Sequence, residues 1–415
     1  MRKHTLRFTA ISAALLTAVS LSGCSTRSSD DAAGEGDVKT DYGVTDDTIT
    51  LGVLSDFSVV YGPLAKTVYS GNQIWADEVN AAGGICGRQI KLDVQDQKMD
   101  TQLANTQYAA MKNDVLGIVQ LLGSPVISSL LSQITADHMP TMANGWSAGY
   151  LGTPEVAFIG TSYALDEING LQYLVDEGLV KSGDSIGQIY MAGDFGENAA
   201  AGAEFAAGKL GLDYVGKKVD PTATDISAEM AALNAANVSA IVVSTGPKQT
   251  AMVASQAPSM GLDGPLLVNA PSYDPSLLDS PVADEVLDNL LVVTSQAAYA
   301  GDLPAQKKIV DAYPAVADGT PPTHHVMAGY ENGRVLGEAM SAACDDGDLT
   351  RQSVVDHLRE ISDFDADGLF PNQDFTDPSK PGSNQSLILK ADKNDGGLTR
   401  VKDYFASPLQ DEYQG

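Results

Sequence analysis

The segment Gly145–Gly149, with the sequence GWSAG, fits the G-x-S-x-G pattern of serine hydrolases. In that pattern a serine stands on a tight turn between a strand and a helix, and a histidine further along the chain accepts its proton. Ser147 would be the nucleophile, and His324 and His325 follow it in the permitted order. However, glycines and a proline follow Ser147 closely, and these residues favour no helix. Because the pattern requires a helix after the serine, a secreted serine hydrolase is kept only as an alternative for the function.

Two other groups of residues could bind a metal ion. The pattern D-x-D-x-D-G begins at Asp363 and places Asp374 at the twelfth position, as in a calcium loop. That loop needs glutamate at position twelve, and here Pro371 stands at position nine, so we do not predict a calcium site. The side chains of the adjacent His324 and His325 should diverge on a helix, which favours a pocket edge or surface pair over zinc. No nucleotide-binding fingerprint is present in the sequence, and no cofactor is predicted.

The chain starts with a basic segment, continues with an apolar run over 8–21 and then reads LSGC. The apolar run is too short for a membrane span and is typical of a secretory signal. Its end resembles a bacterial lipobox, which implies removal of residues 1–23 and acylation of Cys24. An ordinary signal peptide followed by a chance cysteine is the alternative. Residues 24–47 are small, polar and acidic, and predict a flexible tether.

The protein is strongly acidic, with a formal net charge of −29 at pH 7. This charge argues against binding to nucleic acid or to an anionic membrane surface. After the signal, no segment of the sequence is long and apolar enough to span a membrane. We therefore expect an extracytoplasmic protein that is held at the outer face of the cell membrane by lipid alone.

From Thr48 onward, predicted strands and helices alternate, which indicates an α/β fold with parallel sheets. Roughly ten strands are more than one sheet usually holds, so we expect two lobes. The predicted strands cover 49–54, 90–94, 115–122, 139–143, 185–190, 214–219, 240–243, 266–268, 290–294 and 386–390. Ligands bind at the carboxyl ends of such strands. The polar segments at these ends are 123–124, 145–147, 194–196, 245–247 and 269–273, and they predict a cleft between the lobes.

Several stretches carry a resemblance to a known family. ITLGVLSDFS, GNQIWADEVNAAGGICGRQIKL, GDFGENAAAGAEFAAGKLG and MGLDGPLL resemble type I extracellular solute-binding proteins, more narrowly the leucine/isoleucine/valine-binding family of ABC importers. The resemblance implies two α/β lobes, joined by three crossings near 160, 296 and 375, that close on a small ligand. Lobe one would contain 48–160 and 297–374, and lobe two would contain 161–296 and 375–415.

The resemblance also implies a carboxylate-binding end of the cleft. It matches Ser124, after the third strand, and Gly145 with Ser147, after the fourth, to the positions that grip the ligand's carboxylate. The physics agrees, because Ser124-Pro125 reads as a helix start, with Ser124 as the N-cap, and such an end favours an anion. We expect Ser124 to cap the helix and to contact the ligand.

Other positions are matched to the remaining walls of the pocket. Trp146 would be an apolar wall of the pocket or a core residue. The other matched positions are Tyr61, Leu64, Phe195, Thr245 and Gly246. At the last two, Thr245 and Gly246, the family often has an aromatic residue and this chain has none.

At the opposite end, relatives that bind amino acids use an acidic residue to hold the ammonium group. The alignment puts Ala270 at that position, with Asp274 several residues away. A buried ammonium group without an anionic partner is costly. Either Asp274 supplies the anion, or the ligand carries no ammonium group.

Cys86 and Cys344 are the other two cysteines, and both fall in lobe one under this assignment. We predict a disulfide between them, since the compartment is oxidising, with two separate buried thiols as the alternative. The sequence as a whole predicts a lipid-anchored receptor that delivers an amino acid or a related carboxylate to the permease subunits of an ABC importer. A ligand sensor for a signalling partner would use the same cleft.

Overall fold

The computed structural model describes residues 38–414, so the predicted signal peptide and Cys24 lie outside the described residues. Regular structure begins earlier than the predicted tether allows. Strand β1 (Lys39–Thr40) pairs in parallel with β12 (Asp348–Leu349). The expectation of a free tether up to residue 47 is therefore wrong for its last part. No helix in 38–414 has the length and apolar character needed to cross a membrane.

Lobe one is built on a five-stranded parallel sheet in the order β3-β2-β4-β5-β6. All six residues of β4 are buried, as expected for a strand with neighbours on both sides and helices on both faces. The strands are β2 (Thr48–Ser55), β3 (Gln89–Asp96), β4 (Gly117–Leu122), β5 (Thr141–Asn144) and β6 (Val156–Ala157). The helices that go with this sheet are α1 (Gly62–Ala81), α2 (Thr101–Met111), α3 (Ser124–Ala136), α9 (Pro304–Val316), α10 (His325–Asp345) and α11 (Arg351–Leu358).

Lobe two is built on a seven-stranded sheet in the order β14-β13-β11-β10-β9-β7-β8. The strands from β8 to β11 pair in parallel, as expected, and the two strands at the other edge, β13 and β14, add antiparallel pairs. The strands are β7 (Ser185–Met191), β8 (Asp213–Val219), β9 (Ala240–Ser244), β10 (Leu266–Asn269), β11 (Leu290–Thr294), β13 (Ser386–Ala391) and β14 (Leu398–Phe405). The helices are α4 (Tyr163–Asp176), α5 (Asp194–Leu210), α6 (Ser227–Ala235), α7 (Pro247–Gln256) and α8 (Ala283–Asn289).

The three connections between the lobes lie side by side. The Gly160 amide donates to Gln373 Oε1 at 2.7 Å, and the Thr161 amide donates to Ser295 Oγ at 3.0 Å. The Ala297 amide donates to the carbonyl of Leu369 at 2.8 Å. These bonds join the segments near 160, 296 and 375 into one bundle, about which the lobes can hinge.

Helices α1 and α10 pack against each other along lobe one, and a disulfide links the ends of this pair. Cys86 follows α1, Cys344 lies in the last turn of α10, and their Cα atoms are 6.2 Å apart. The bond closes a loop of 258 residues, which restricts the unfolded chain. It thereby joins an early segment of lobe one to a late one.

Candidate functional site

A cavity of about 350 Å³ lies between the lobes, at the carboxyl ends of the strands. We call it the inner cavity. The lobes meet at its sides, where the Tyr61 hydroxyl donates to Met191 Sδ at 3.4 Å and the Ser128 hydroxyl donates to Asp194. Its lining is mainly apolar, and the apolar residues are Val59, Val60, Leu64, Met99, Leu122, Pro125, Trp146, Met191, Ala192, Phe195, Pro221 and Pro271.

Three neighbouring aromatic rings, in edge-to-face and tilted contact, form one wall of the inner cavity. The Tyr163 ring lies 6.0 Å from that of Trp146 and 4.4 Å from that of Phe195, measured between centroids. The indole of Trp146 is oriented by its Nε1–H, which donates to the carbonyl of Ile159 at 2.8 Å. Five of the residues matched by the resemblance line the cavity, namely Tyr61, Leu64, Ser124, Trp146 and Phe195. Tyr163 was missed because its position at the start of α4 carries no signal of its own in the sequence.

Ser124 provides the polar end of the inner cavity. It is the first residue of α3, and Gly123, with φ of +99°, is the N-cap in place of the predicted Ser124. A side chain at Gly123 would meet Met99 Sδ at 2.7 Å, so glycine is required there. The Ser124 hydroxyl is buried and has no well-formed hydrogen bond to another described residue. It is therefore available to a ligand.

Two phenols lie beside the Ser124 hydroxyl. Burial raises the pKa of both Tyr150 and Tyr163, and their contacts with Ser124 lower these pKa values by a smaller amount. Both phenols therefore stay protonated at neutral pH and can act as hydrogen-bond donors. Tyr163 also lines the inner cavity, whereas Tyr150 lies behind Ser124.

Gly145 and Ser147 support this end without lining the cavity. A Cβ at Gly145 would lie 2.9 Å from the Tyr150 hydroxyl and 3.1 Å from Ser124 Oγ, so only glycine leaves room for that pair. Ser147 Oγ accepts a hydrogen bond from the Gly149 amide at 3.1 Å and caps a short 3-10 turn. The resemblance implies that this loop contacts the ligand through a hydroxyl and the backbone, but neither Gly145 nor Ser147 lines the inner cavity. Ser147 is also no nucleophile elbow, because a capped 3-10 turn follows it where an elbow requires an α-helix.

Ala270 lies behind the aromatic wall, in a separate void of about 10 Å³. Such a void has room for about one water molecule and for no larger ligand. Trp146 and Tyr163 line this void as well, and so does Asp166. The Asp166 carboxyl accepts a hydrogen bond from Ser386 Oγ at 2.6 Å, and burial raises its pKa well above the ordinary value. Asp166 was not predicted from the sequence, because it reads there as an ordinary helix residue.

A second cavity of about 490 Å³ lies on the other side of the segment 59–61. We call it the outer cavity. Gly246 and Asp274 line this cavity and not the inner one. Asp274 Oδ1 accepts from the Ser276 amide at 2.9 Å and caps a 3-10 turn, so it does not face Ser124. Thr245 lines neither cavity, because its hydroxyl donates to the Gly246 carbonyl within the buried end of β9.

The sequence matches the model of the Periplasmic binding protein family over residues 48–397. The chain belongs to this family. The resemblance seen in the sequence is thereby confirmed, together with the two-lobed fold. The comparison with curated protein sequences finds no significant match.

Solved structures agree with the family assignment. A fatty acid ABC transporter substrate-binding protein from Thermomonospora curvata is 37% identical, with a TM-score of 0.88 over 91% of this chain and 97% of that one. A branched chain amino acid ABC transporter from Thermus thermophilus with bound valine is 18% identical, with a TM-score of 0.76 over 89% and 99% of the chains. A leucine binding protein from Thermotoga maritima is 17% identical, with a TM-score of 0.74 over 88% and 100%. The present chain is thus a substrate-binding protein of an ABC transporter and not an enzyme.

Two adjacent histidines of this binding protein are buried between the outer cavity and the crossings. The centroids of their rings are 4.0 Å apart, so the prediction that the two side chains diverge is wrong. The reason is that His324 precedes α10 and only His325 lies in the helix. His325 Nδ1 lies 3.1 Å from Gln296 Oε1, and His325 Nε2 has no partner among the described residues. Burial lowers the pKa of His324 to about 3, so it is neutral at physiological pH.

The acidic segment 363–374 of the binding protein does not form a calcium loop. Phe364 and Gln373 pair through two backbone hydrogen bonds, of 2.9 and 3.0 Å, which close the segment into a narrow hairpin. The Asp365 carboxylate accepts from the Asp367 amide rather than facing a common centre. Within residues 38–414, no group of three or more His, Cys, Asp or Glu side chains has the geometry to hold a metal ion.

Proposed function

We propose that this binding protein is the lipid-anchored, extracytoplasmic receptor of its importer, and that its ligand is a carboxylate with an apolar chain and no ammonium group. Fatty acids are the simplest members of this class. The observation that carries the proposal is the inner cavity, whose lining is mainly apolar and which offers hydroxyls at its Ser124 end. The 37% identical fatty acid ABC transporter substrate-binding protein from Thermomonospora curvata supports the same class.

The Ser124 end suits a carboxylate for two reasons. A carboxylate there would lie at the amino terminus of α3, where the helix dipole favours negative charge. It could also accept hydrogen bonds from Ser124 Oγ and the protonated phenol of Tyr163. Hydrogen bonds to charged groups contribute about 1.5–3 kcal/mol each.

The rest of the inner cavity suits a hydrocarbon chain and not an ammonium group. Against its aliphatic and aromatic lining, ligand binding would be stabilised by about 25 cal/mol for each Å² of apolar surface removed from water. Asp194 is the one carboxylate in the lining, and it already accepts the Ser128 hydroxyl across the lobe boundary. Asp166 lies behind the aromatic wall and does not line this cavity. An ammonium group would therefore lose its hydration without gaining a free anionic partner.

Titration calorimetry on protein stripped of bound lipid tests the ligand class. The panel compares dodecanoate with dodecylamine, which shares its chain, and with leucine, which shares its carboxylate. We expect dodecanoate to bind at least a hundredfold more tightly than either. Leucine binding equal to or tighter than dodecanoate binding would show that the ammonium partner lies elsewhere and would reject the proposed class.

The lipid anchor rests on the LSGC segment and is tested separately. In cells, Cys24→Ala should leave the unlipidated precursor or release the protein from the membrane fraction. The intact mass of the wild-type protein should show the added acyl groups, because stable anchoring takes more than one chain. An unchanged mass and unchanged fractionation of the variant would reject the anchor.

A further inference from the structure

We infer that the outer cavity is a second compartment of the ligand site, which receives the distal part of an alkyl chain too long for the inner cavity. This inference rests on the proposed function and deepens it, because it assigns the protein to long-chain rather than short-chain carboxylates. The carboxylate would bind at Ser124, and the chain would pass the segment 59–61 and continue into the outer cavity.

The two cavities share one boundary. The segment 59–61 lines both of them, and so do Leu64, Thr222 and two prolines, Pro221 and Pro271. A chain that follows these shared side chains would remain in contact with the protein from one compartment to the other. Both compartments fall in the size range of small-molecule sites, which is about 300–1,000 Å³.

Exposed apolar side chains stand at this boundary. Val59 and Val60 are 52% and 41% exposed, although most valines of this chain are buried in its cores. Val60 extends from lobe one towards Gly246 of lobe two, where a Cβ would lie 3.5 Å from Val60 Cγ1. An alkyl chain passing between the compartments would cover both valines and remove their apolar surface from water.

Polar groups that line the outer cavity are mostly bonded to the protein already. Gln249 Nε2 donates to the Pro221 carbonyl at 2.9 Å, and the Tyr273 hydroxyl donates to the Gly397 carbonyl at 2.7 Å. Asp274 caps its turn, as described above. His325 Nε2 is an exception, because it is buried and has no partner among residues 38–414. The exposed Lys248 is a second polar residue of this lining. The compartment therefore presents a mainly apolar surface with two polar points, His325 and Lys248.

A chain-length series tests the inference by calorimetry on stripped protein. The probes are the saturated carboxylates from hexanoate to hexadecanoate, each kept below its micelle-forming concentration. Each buried methylene should strengthen binding about fourfold. In the wild type, we expect this gain to continue through the longest chains.

Ala223→Trp provides the decisive variant, since Ala223 lines the outer cavity alone. The indole should fill that space, so affinity should stop rising at an intermediate chain length while hexanoate and octanoate bind as in the wild type. Thr224→Trp is the matched control, because the neighbouring Thr224 is exposed and lines neither cavity. If Ala223→Trp does not fold, Ser276→Trp, at an exposed position of the same lining, replaces it.

Each result separates this inference from the proposed function. If carboxylates bind but Ala223→Trp and Thr224→Trp behave alike at every chain length, the outer cavity takes no part in binding and the inference is rejected. A plateau at the same length in wild type and Ala223→Trp rejects it too. Binding of 16-hydroxyhexadecanoate far more tightly than hexadecanoate would mean that His325 recognises a polar chain end, and would overturn the purely alkyl assignment. Failure of every carboxylate to bind would instead reject the proposed function.

Discussion

The two faces of the wall formed by Trp146 and Tyr163 differ in the chemistry that they offer a ligand. One face borders the inner cavity, with about 350 Å³ of space and the Ser124 hydroxyl. The other borders a void of about 10 Å³, which contains Asp166 and Ala270. The carboxyl group that an ammonium ligand would need exists in this protein, but it lies in a void with room for about one water molecule. Accessibility, and not residue type alone, therefore decides which charges a binding site can use.

We call the face of the wall that borders the small void the closed face, and the face that borders the inner cavity the open face. The largest expected effect comes from placing an acidic side chain on the closed face. Ala270→Asp would place an acidic residue at the position that the resemblance assigns to the ammonium partner, but in a space too small for a solvated carboxylate. An uncompensated buried charge should lower the free energy of unfolding by about 3–5 kcal/mol. Urea denaturation measures this loss, and calorimetry should show no gain of leucine binding.

Ala231→Asp serves as its control, because Ala231 is exposed on α6 and should lose no more than about 0.7 kcal/mol through helix propensity. Equal losses in the two variants, or leucine binding by Ala270→Asp, would mean that the closed face is open to ligands and would break the comparison.

On the open face, Ser124→Ala should weaken dodecanoate binding about tenfold to a hundredfold, since a hydrogen bond to a charged group is lost. Tyr163→Phe keeps the ring in the wall and removes only the hydroxyl, so we expect a smaller loss of about twofold to tenfold. Ser129→Ala is the matched control, because Ser129 lies on the same helix and its hydroxyl donates to the Val126 carbonyl. Unchanged affinity in Ser124→Ala would place the carboxylate elsewhere.

The burial of Asp166 on the closed face should also affect how the free energy of unfolding depends on pH. Burial raises the pKa of Asp166 above 3.8, so the folded protein keeps a proton that the unfolded chain releases. The stability from this group is complete below pH 3.8 and is lost, at about 1.4 kcal/mol per pH unit, as the pH rises towards the folded-state pKa. Asp166→Asn, which can still accept from Ser386, should remove this part of the slope in urea titrations at several pH values.

His324 provides the opposite sign as a control for that titration. Because burial lowers its pKa from 6.5 to about 3, its neutral form contributes stability above pH 6.5 that is lost as the pH falls. His324→Gln should therefore flatten the acid side of the stability curve, between about pH 6.5 and 3, and leave the neutral side unchanged. If the free energy of unfolding of Asp166→Asn instead changed with pH as that of the wild type does, Asp166 would be ionised and solvated, contrary to its position behind the wall.

The smallest effect is expected at Asp274, which the sequence offers as a substitute ammonium partner. Its carboxylate caps a turn at the edge of the outer cavity, so Asp274→Asn should change dodecanoate affinity less than twofold. Asparagine is also a good cap, so the free energy of unfolding should change by only a few tenths of a kcal/mol. A large change in ligand affinity would mean that the outer cavity binds a cationic group.

Most of the fold can be predicted from the sequence because its signals are local. The alternation of buried strands and helices along 48–294 indicates two parallel sheets, and the predicted strands overlap the observed ones. The missed elements depend on distant partners. β1 and β12 are two-residue strands that exist only through their pairing, and β14 is an edge strand defined by its antiparallel contact with β13. Helix α9 begins at Pro304 and was also missed, because its N-cap residue is Leu303, which is not a typical capping residue.

For the site, the sequence alone determined which loops meet at the cleft and that Ser124 stands at a helix start, because strand order and helix caps follow from residues close together in the chain. Only the tertiary structure decided what those loops enclose. Tyr163 reaches Ser124 only because the lobes pack together, and Asp166 is confined to a small void because Trp146 and Tyr163, in edge-to-face contact, form its wall. Volume and access are properties of side chains that converge from segments far apart in sequence, and burial is non-directional, so no local pattern encodes them.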